Sequence, residues 1–130
     1  MTVGLATAVL NGWLDALGNA TNYTAPTAFW VKLHLGDPGS AGTANAAAET
    51  TRQQASFAAA SAGSITTNAD LVWTSVAATE TYSHVSFWTA STGGTFLGSD
   101  NLALPRLITL GGTFRIDAGA LTVAITPRAA

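Results

Sequence analysis

The sequence predicts a mainly β chain: an antiparallel β-sandwich of about seven or eight short strands with one N-terminal α-helix. Three observations point there. Apolar and polar residues alternate through residues 29–35 and again through 80–89. Turn-forming clusters, Gly36-Asp37-Pro38-Gly39, Ser91-Thr92-Gly93-Gly94 and Gly111-Gly112, punctuate the chain. Helical periodicity is confined to its start, where Leu5, Val9, Leu10, Trp13, Leu14 and Leu17 share one half of a helical wheel.

At 130 residues the chain fits one domain, 1–130. Its expected parts are a helix within residues 1–18, a sandwich over 28–127 and a long loop over 36–51. The helix reads as residues 2–17, with Thr2 as N-cap and Gly18 as the stop. Its apolar stripe is expected to dock on the open face or edge of the sheet, with docking on a neighbouring copy as the other arrangement.

The organising strand is 28–35. Phe29, Val31, Leu33 and Leu35 form an apolar face, and Trp30, Lys32 and His34 a mixed one. Gly36-Asp37-Pro38-Gly39 stops it, because proline lacks the N–H that a ladder needs. Residues 36–51 contain Gly, Ala, Asn and Ser but almost no large apolar side chain. They read as a surface loop that is disordered alone and ordered against a partner, a natural clasp.

Strand character resumes at 52–57, followed by 64–68 and 71–75. The second strong strand is 80–89, with Tyr82, His84, Ser86 and Trp88 on one face and Ser83, Val85, Phe87 and Thr89 on the other. Ser91-Thr92-Gly93-Gly94 turns it back into 95–99. Segments 101–104 and 106–110 read as separate pieces, because Pro105 breaks a strand or marks an edge. Short strands at 113–116 and 120–126 complete the set, closed by Pro127. Gly93-Gly94-Thr95-Phe96 and Gly111-Gly112-Thr113-Phe114 are the same four residues, read as two tight turns into strands with a buried Phe.

Composition narrows the function classes. Charged residues make up 9% of the chain, with five Lys and Arg against seven Asp and Glu. The basic residues are scattered, which argues against a nucleic-acid partner. No apolar run is long enough for a membrane span, and no basic region precedes an apolar run as in a secretory signal. There is no cysteine, hence no disulfide and no thiolate metal site.

No catalytic constellation emerges, and neither catalytic, cofactor-binding nor metal residues are assigned. His34 and His84 lack the spacing of zinc ligands and read as packing or surface residues. Gly-x-Ser-x-Gly is absent. Asp37, Asp70, Asp100 and Asp117 sit at turns, where carboxylates bond the backbone. Asp37 and Asp117 have oxygens that suit Ca²⁺, but no ligand-dense loop surrounds them. Of the four tryptophans, Trp30 and Trp88 lie on mixed strand faces and are the candidates for stacking on a sugar.

Tyr23-Thr24-Ala25-Pro26-Thr27, Leu33-His34-Leu35-Gly36-Asp37-Pro38-Gly39, Gly42-Thr43-Ala44-Asn45 and Thr50-Thr51-Arg52, in this order after a helix, resemble a family of small bacteriophage virion proteins. Val72-Trp73, Thr81-Tyr82-Ser83-His84, Phe87-Trp88, Ala90-Ser91-Thr92-Gly93-Gly94 and Gly112-Thr113-Phe114 extend the likeness over nearly the whole chain. Members are tail fibre or minor tail proteins of phages of Gram-positive, especially actinobacterial, hosts, and similar small sandwiches decorate heads. The resemblance implies a non-enzymatic, multi-copy virion component assembled in the host cytoplasm, without cofactor or small-molecule ligand. Its expected partners are copies of itself, as a trimer or other symmetric ring, and major capsid or tail proteins. A carbohydrate-binding module for host cell-wall glycan is the alternative, and a cell-wall hydrolase a third class without a convincing acid pair.

Overall fold

The computed structural model describes residues 4–125. Nine strands and one helix follow in the order β1 (Gly4–Leu5), α1 (Thr7–Gly18), β2 (Phe29–His34), β3 (Gln53–Ala55), β4 (Ser64–Thr66), β5 (Leu71–Trp73), β6 (Glu80–Trp88), β7 (Phe96–Ile108), β8 (Phe114–Ile116) and β9 (Thr122–Ala124). The mainly β, antiparallel expectation holds. The strands form a five-stranded sheet ordered β1-β7-β6-β2-β3 and two two-stranded ladders, β4-β9 and β5-β8.

β2 lies between β6 and β3, and this position makes it the organising strand. It pairs Trp30 with Trp88, Val31 with Phe87, Leu33 with Val85 and His34 with His84. Val31 and Leu33 are completely buried, as the apolar alternation requires. They share one apolar cluster with Val85, Phe87 and Tyr82 of β6 and with Trp73, Phe114 and Leu121 from the ladder side. Phe114 links the two groups, with its ring centre 5.7 Å from Trp73 and 5.2 Å from Tyr82. Leu35 lies past the strand end and is exposed, so the apolar face stops at Leu33.

The N-terminal segment departs from its expected form. Gly4–Leu5 is a strand, paired with Ser99 and Gly98 of β7, and the helix begins only at Thr7. Gly98 makes this possible: a Cβ there would lie 2.6 Å from the Gly4 carbonyl oxygen and 2.9 Å from Leu5 Cα. The expected cap, Thr2, lies outside the described residues. Ala6 occupies the N-cap position without a side-chain bond, and its N–H donates to the Leu97 carbonyl at 2.8 Å. The helix entry is therefore pinned by the sheet. Val9 enters the core and Trp13 packs against it, so the helix docks on its own chain. The predicted stripe is broader than the buried one, since Leu14 and Leu17 are exposed.

A second departure concerns Pro105. Residues 96–108 form one thirteen-residue strand, not separate pieces. Register with β6 runs from Trp88↔Phe96 to His84↔Asn101, then jumps to Tyr82↔Arg106. Ser83 therefore faces a bulge of Leu102, Ala103, Leu104 and Pro105. The bulge lets the strand tolerate a residue with no N–H to give to the ladder.

The repeated Gly-Gly-Thr-Phe segments also differ from one another. The first follows the β6–β7 hairpin turn, and its Phe96 is only half-buried. The second sits where Gly111 and Gly112 bond the backbone of Val76, and its Phe114 is buried on β8, which pairs with β5. The last strand expected, 120–126, is observed as β9 over Thr122–Ala124. Thr126 and Pro127 lie outside the described residues.

Candidate functional site

The face of β2 and β6 turned away from the core carries the densest polar arrangement. His34 is fully buried there. Its Nδ1 lies 2.8 Å from the Ala44 carbonyl oxygen and its Nε2 2.8 Å from Ser86 Oγ. Trp88 Nε1 donates to the same Ser86 oxygen at 2.7 Å. These contacts determine the proton positions. A carbonyl only accepts, so His34 Nδ1 carries the hydrogen and Nε2 is the bare acceptor. Ser86 then donates its hydroxyl proton to Nε2 and accepts from Trp88. Burial, the largest influence, holds the His34 pKa below its ordinary value, and the imidazole stays neutral.

Residues 36–51 close over this face and are ordered within the chain itself, which corrects the expectation of a loop disordered without a partner. Small residues let the loop lie flat, and its own polar groups lock it. Asp37 Oδ1 accepts from the Gly39 N–H at 3.0 Å, and Asn45 Nδ2 donates to the Asp37 carbonyl at 2.9 Å. Leu35 N–H donates to the Asn45 carbonyl at 2.8 Å, and the Ala48 N–H reaches both Glu80 carboxylate oxygens at 3.0 Å. Pro38, Ala47 and Glu49 are buried. Gly42 lies flat against the Phe96 ring with no room for a Cβ. Large apolar side chains were the signal sought in the sequence, but backbone bonds hold this segment.

Arg52 completes the arrangement. Its Nη1 donates to the Ala90 carbonyl at 2.7 Å and the Gly93 carbonyl at 2.8 Å, gripping the β6–β7 turn. Its guanidinium carbon lies 4.3 Å from the centre of the Trp88 ring. With Phe96 against it at 5.5 Å between ring centres, Trp88 is largely covered. Trp30, beside it in register, is half-buried. The two tryptophans that were candidates for a sugar platform do not form an open one. Tyr23 is the one exposed aromatic among the described residues. Sequence reasoning assigned no role to Arg52 or Ser86; the signal available was their place beside aromatic residues on a strand face.

Asp37, Asp70 and Asp100 bond the backbone as expected of these carboxylates, but Asp100 does so from within β7 and not from a turn. Asp70 Oδ1 accepts from the Ala118 N–H at 2.8 Å, and Asp100 Oδ1 from the Asn101 N–H at 2.9 Å. Asp117 accepts from Arg115 Nε at 2.7 Å, so a cation already occupies one of the two carboxylates considered for Ca²⁺. Among the described residues no three metal-ligating side chains stand together.

One hydroxyl is left over. Tyr82 Oη is buried without a hydrogen-bond partner, and burial, followed by Glu80 and Glu49, raises its pKa.

A cleft of about 340 Å³ opens between the bulged half of β7 and β8. Asp100, Leu102, Leu104 and Arg106 line one side, and Phe114 and Arg115 are on the other. Burial raises the Asp100 pKa, against the lowering effect of its bond to Asn101. Arg115 is engaged by Asp117 and Asp70, whereas among the described residues neither Asp100 nor Arg106 has an ion-pair partner. No described helix is long and apolar enough to cross a membrane.

Two comparisons bear on identity. The family model described as podophage GP4 fiber I protein gp80 matches residues 4–124. No curated protein matches the chain.

Proposed function

The chain belongs to the podophage GP4 fiber I protein gp80 family, and from that membership we propose that it is a multi-copy, non-enzymatic structural component of a bacteriophage virion, carried on a tail fibre or a neighbouring tail structure. The observation that carries this reading is the extent of the match, which runs from the first residue of β1 to the last of β9. The chemistry of the chain agrees. Its buried polar groups are spent on holding a loop and a hairpin in place, and its turn carboxylates on backbone and arginine contacts. A low-charge surface of small residues suits close approach of neighbouring copies.

Within the virion, the family favours the tail over the head-decoration position that the sequence left equally open. The partners are further copies of the chain and the tail proteins that carry them. The test is immunogold electron microscopy of purified phage with antibody to this protein. Label on fibres or the tail supports the proposal. Label spread over the head replaces it with capsid decoration, and absence of label removes the virion role.

A further inference from the structure

We infer that Lys32 and Arg52, beside the Trp88 ring, form a binding site for a phosphate group. The site goes beyond the structural role and does not depend on it.

Folding brings these two cations together from distant parts of the chain. β2 and β3 pair Trp30 with Gln54 and Val31 with Gln53. The same register carried one residue further sets Lys32 beside Arg52, at the start of β3. On its other side Lys32 is matched with Ser86, as Trp30 is with Trp88. Its side chain therefore belongs to the face that holds the Trp88 ring. The Arg52 guanidinium carbon is 4.3 Å from the centre of that ring, so both charges share one face. Burial, and then Arg52, hold the Lys32 pKa below its ordinary value.

Like charges side by side on neighbouring strands are destabilising unless something offsets them. Within the described chain nothing does. Asp100 bears on His84, but no carboxylate acts on Lys32 or Arg52, and the ion pairs among the described residues involve Arg115 instead. Donors are also left over. Arg52 gives Nη1 to the Ala90 and Gly93 carbonyls, while its Nε and Nη2 and the Lys32 ammonium bond nothing among the described residues. Both residues are half-buried, so a ligand reaches them from solvent.

Those donors define the ligand. Two adjacent cations match a dianion, and a phosphate group carries about −1.5 to −2 at pH 7 with three strong acceptor oxygens. The guanidinium is already fixed by two carbonyls and a ring, so its remaining edge is presented with little ordering left to do. Lys32 adds a mobile point charge beside it.

The test is nitrogen-15 NMR of the whole chain, titrated with sodium phosphate and, separately, with sodium chloride at matched ionic strength. Phosphate alone should shift the Arg52 Nε and Trp88 indole signals saturably, half-complete on the order of 1–10 mM, while Arg106 and Arg115 stay still. Lys32→Gln, verified as folded by circular dichroism, should weaken binding about fivefold or more, and Lys32→Arg should restore most of it. Methyl phosphate that binds as well as phosphate assigns the site to a phosphate group carried on a larger molecule. Methyl phosphate that binds about tenfold more weakly assigns it to the free ion. The inference is overturned by the absence of a saturable shift up to about 50 mM phosphate, or by equal shifts at Arg106 and Arg115. A folded Lys32→Gln chain that binds like the wild type also overturns it. Should that variant not fold, the contrast between Arg52 and the other two arginines in the wild type decides. Labelling of the virion is independent of all these outcomes, so the structural role and this site fail separately.

Discussion

His34 Nε2 and Ser86 Oγ are 2.8 Å apart across the β2–β6 ladder, though 52 residues separate them in the chain. The bond is diagonal: in register His34 faces His84, and Ser86 faces Lys32. It joins the loop, through Ala44, to the hairpin strand, through Trp88, by one buried imidazole.

Acid should weaken the fold through His34. Burial puts its folded pKa below the ordinary 6.5. Above that value both folded and unfolded states hold it neutral, and the stabilisation is complete. As pH falls below it, the unfolded chain takes up a proton that the folded chain resists, so stability drops until the folded pKa is passed. Urea midpoints measured from pH 7.5 to pH 5 should decline in the wild type and slope less in His34→Gln. Equal slopes in the two proteins would remove His34 as the cause.

Ser86→Ala should be more costly than its size suggests. It strands the Trp88 N–H and the His34 Nε2 together in a buried site. The expected loss is about 2–3 kcal/mol, most of it desolvation without a partner. A thermal melt reads it, and a variant within about 0.5 kcal/mol of wild type would mean water replaces the hydroxyl.

Arg52→Lys keeps the charge but not the planar group that lies over Trp88 and bonds two carbonyls from one nitrogen. The hairpin turn should loosen while the sheet survives. Amide exchange at Thr89 and Thr95, which flank the turn, should quicken by about tenfold or more, with core amides of β2 unchanged. Uniform acceleration would instead indicate global destabilisation.

Deleting residues 40–48 should unfold or grossly destabilise the isolated chain. The deletion removes the acceptor for His34 Nδ1, the carbonyl that receives the Leu35 N–H and the amide that binds Glu80. Sequence composition suggested a clasp for a partner that is dispensable for folding of the isolated chain, and the two views separate cleanly in a circular dichroism melt. A cooperative transition at the wild-type temperature would favour the dispensable clasp.

Tyr82→Phe should leave stability unchanged or raise it. The lost hydroxyl is buried and bonds nothing, while the ring packing on Phe114 is retained. Calorimetry should show a transition temperature equal to or a few degrees above wild type. A marked fall would reveal a partner for the hydroxyl in solution.

Much of the fold was legible because it depends on local pattern. Alternation at Val31 and Leu33 located the buried face of β2, and Ser91-Thr92-Gly93-Gly94 located the hairpin. The misread positions all depend on contacts distant in sequence. Gly98 makes room for β1, so residues that continue a helical pattern become a strand. Pro105 sits in a bulge that only the β6 register defines. Leu14 and Leu17 belong to the helical stripe but find no cover.

The candidate site divides the same way. Residue order was enough to establish a mainly β chain, the organising strand, the Asp37 turn and the likeness to phage virion proteins, because each is carried by neighbouring residues. The partners of His34, the grip of Arg52 and the closure of residues 36–51 over their own sheet came from folding alone. A hydrogen bond depends on ångström-scale placement of donor and acceptor, and that placement comes from packing distant segments, about which one-dimensional periodicity is silent.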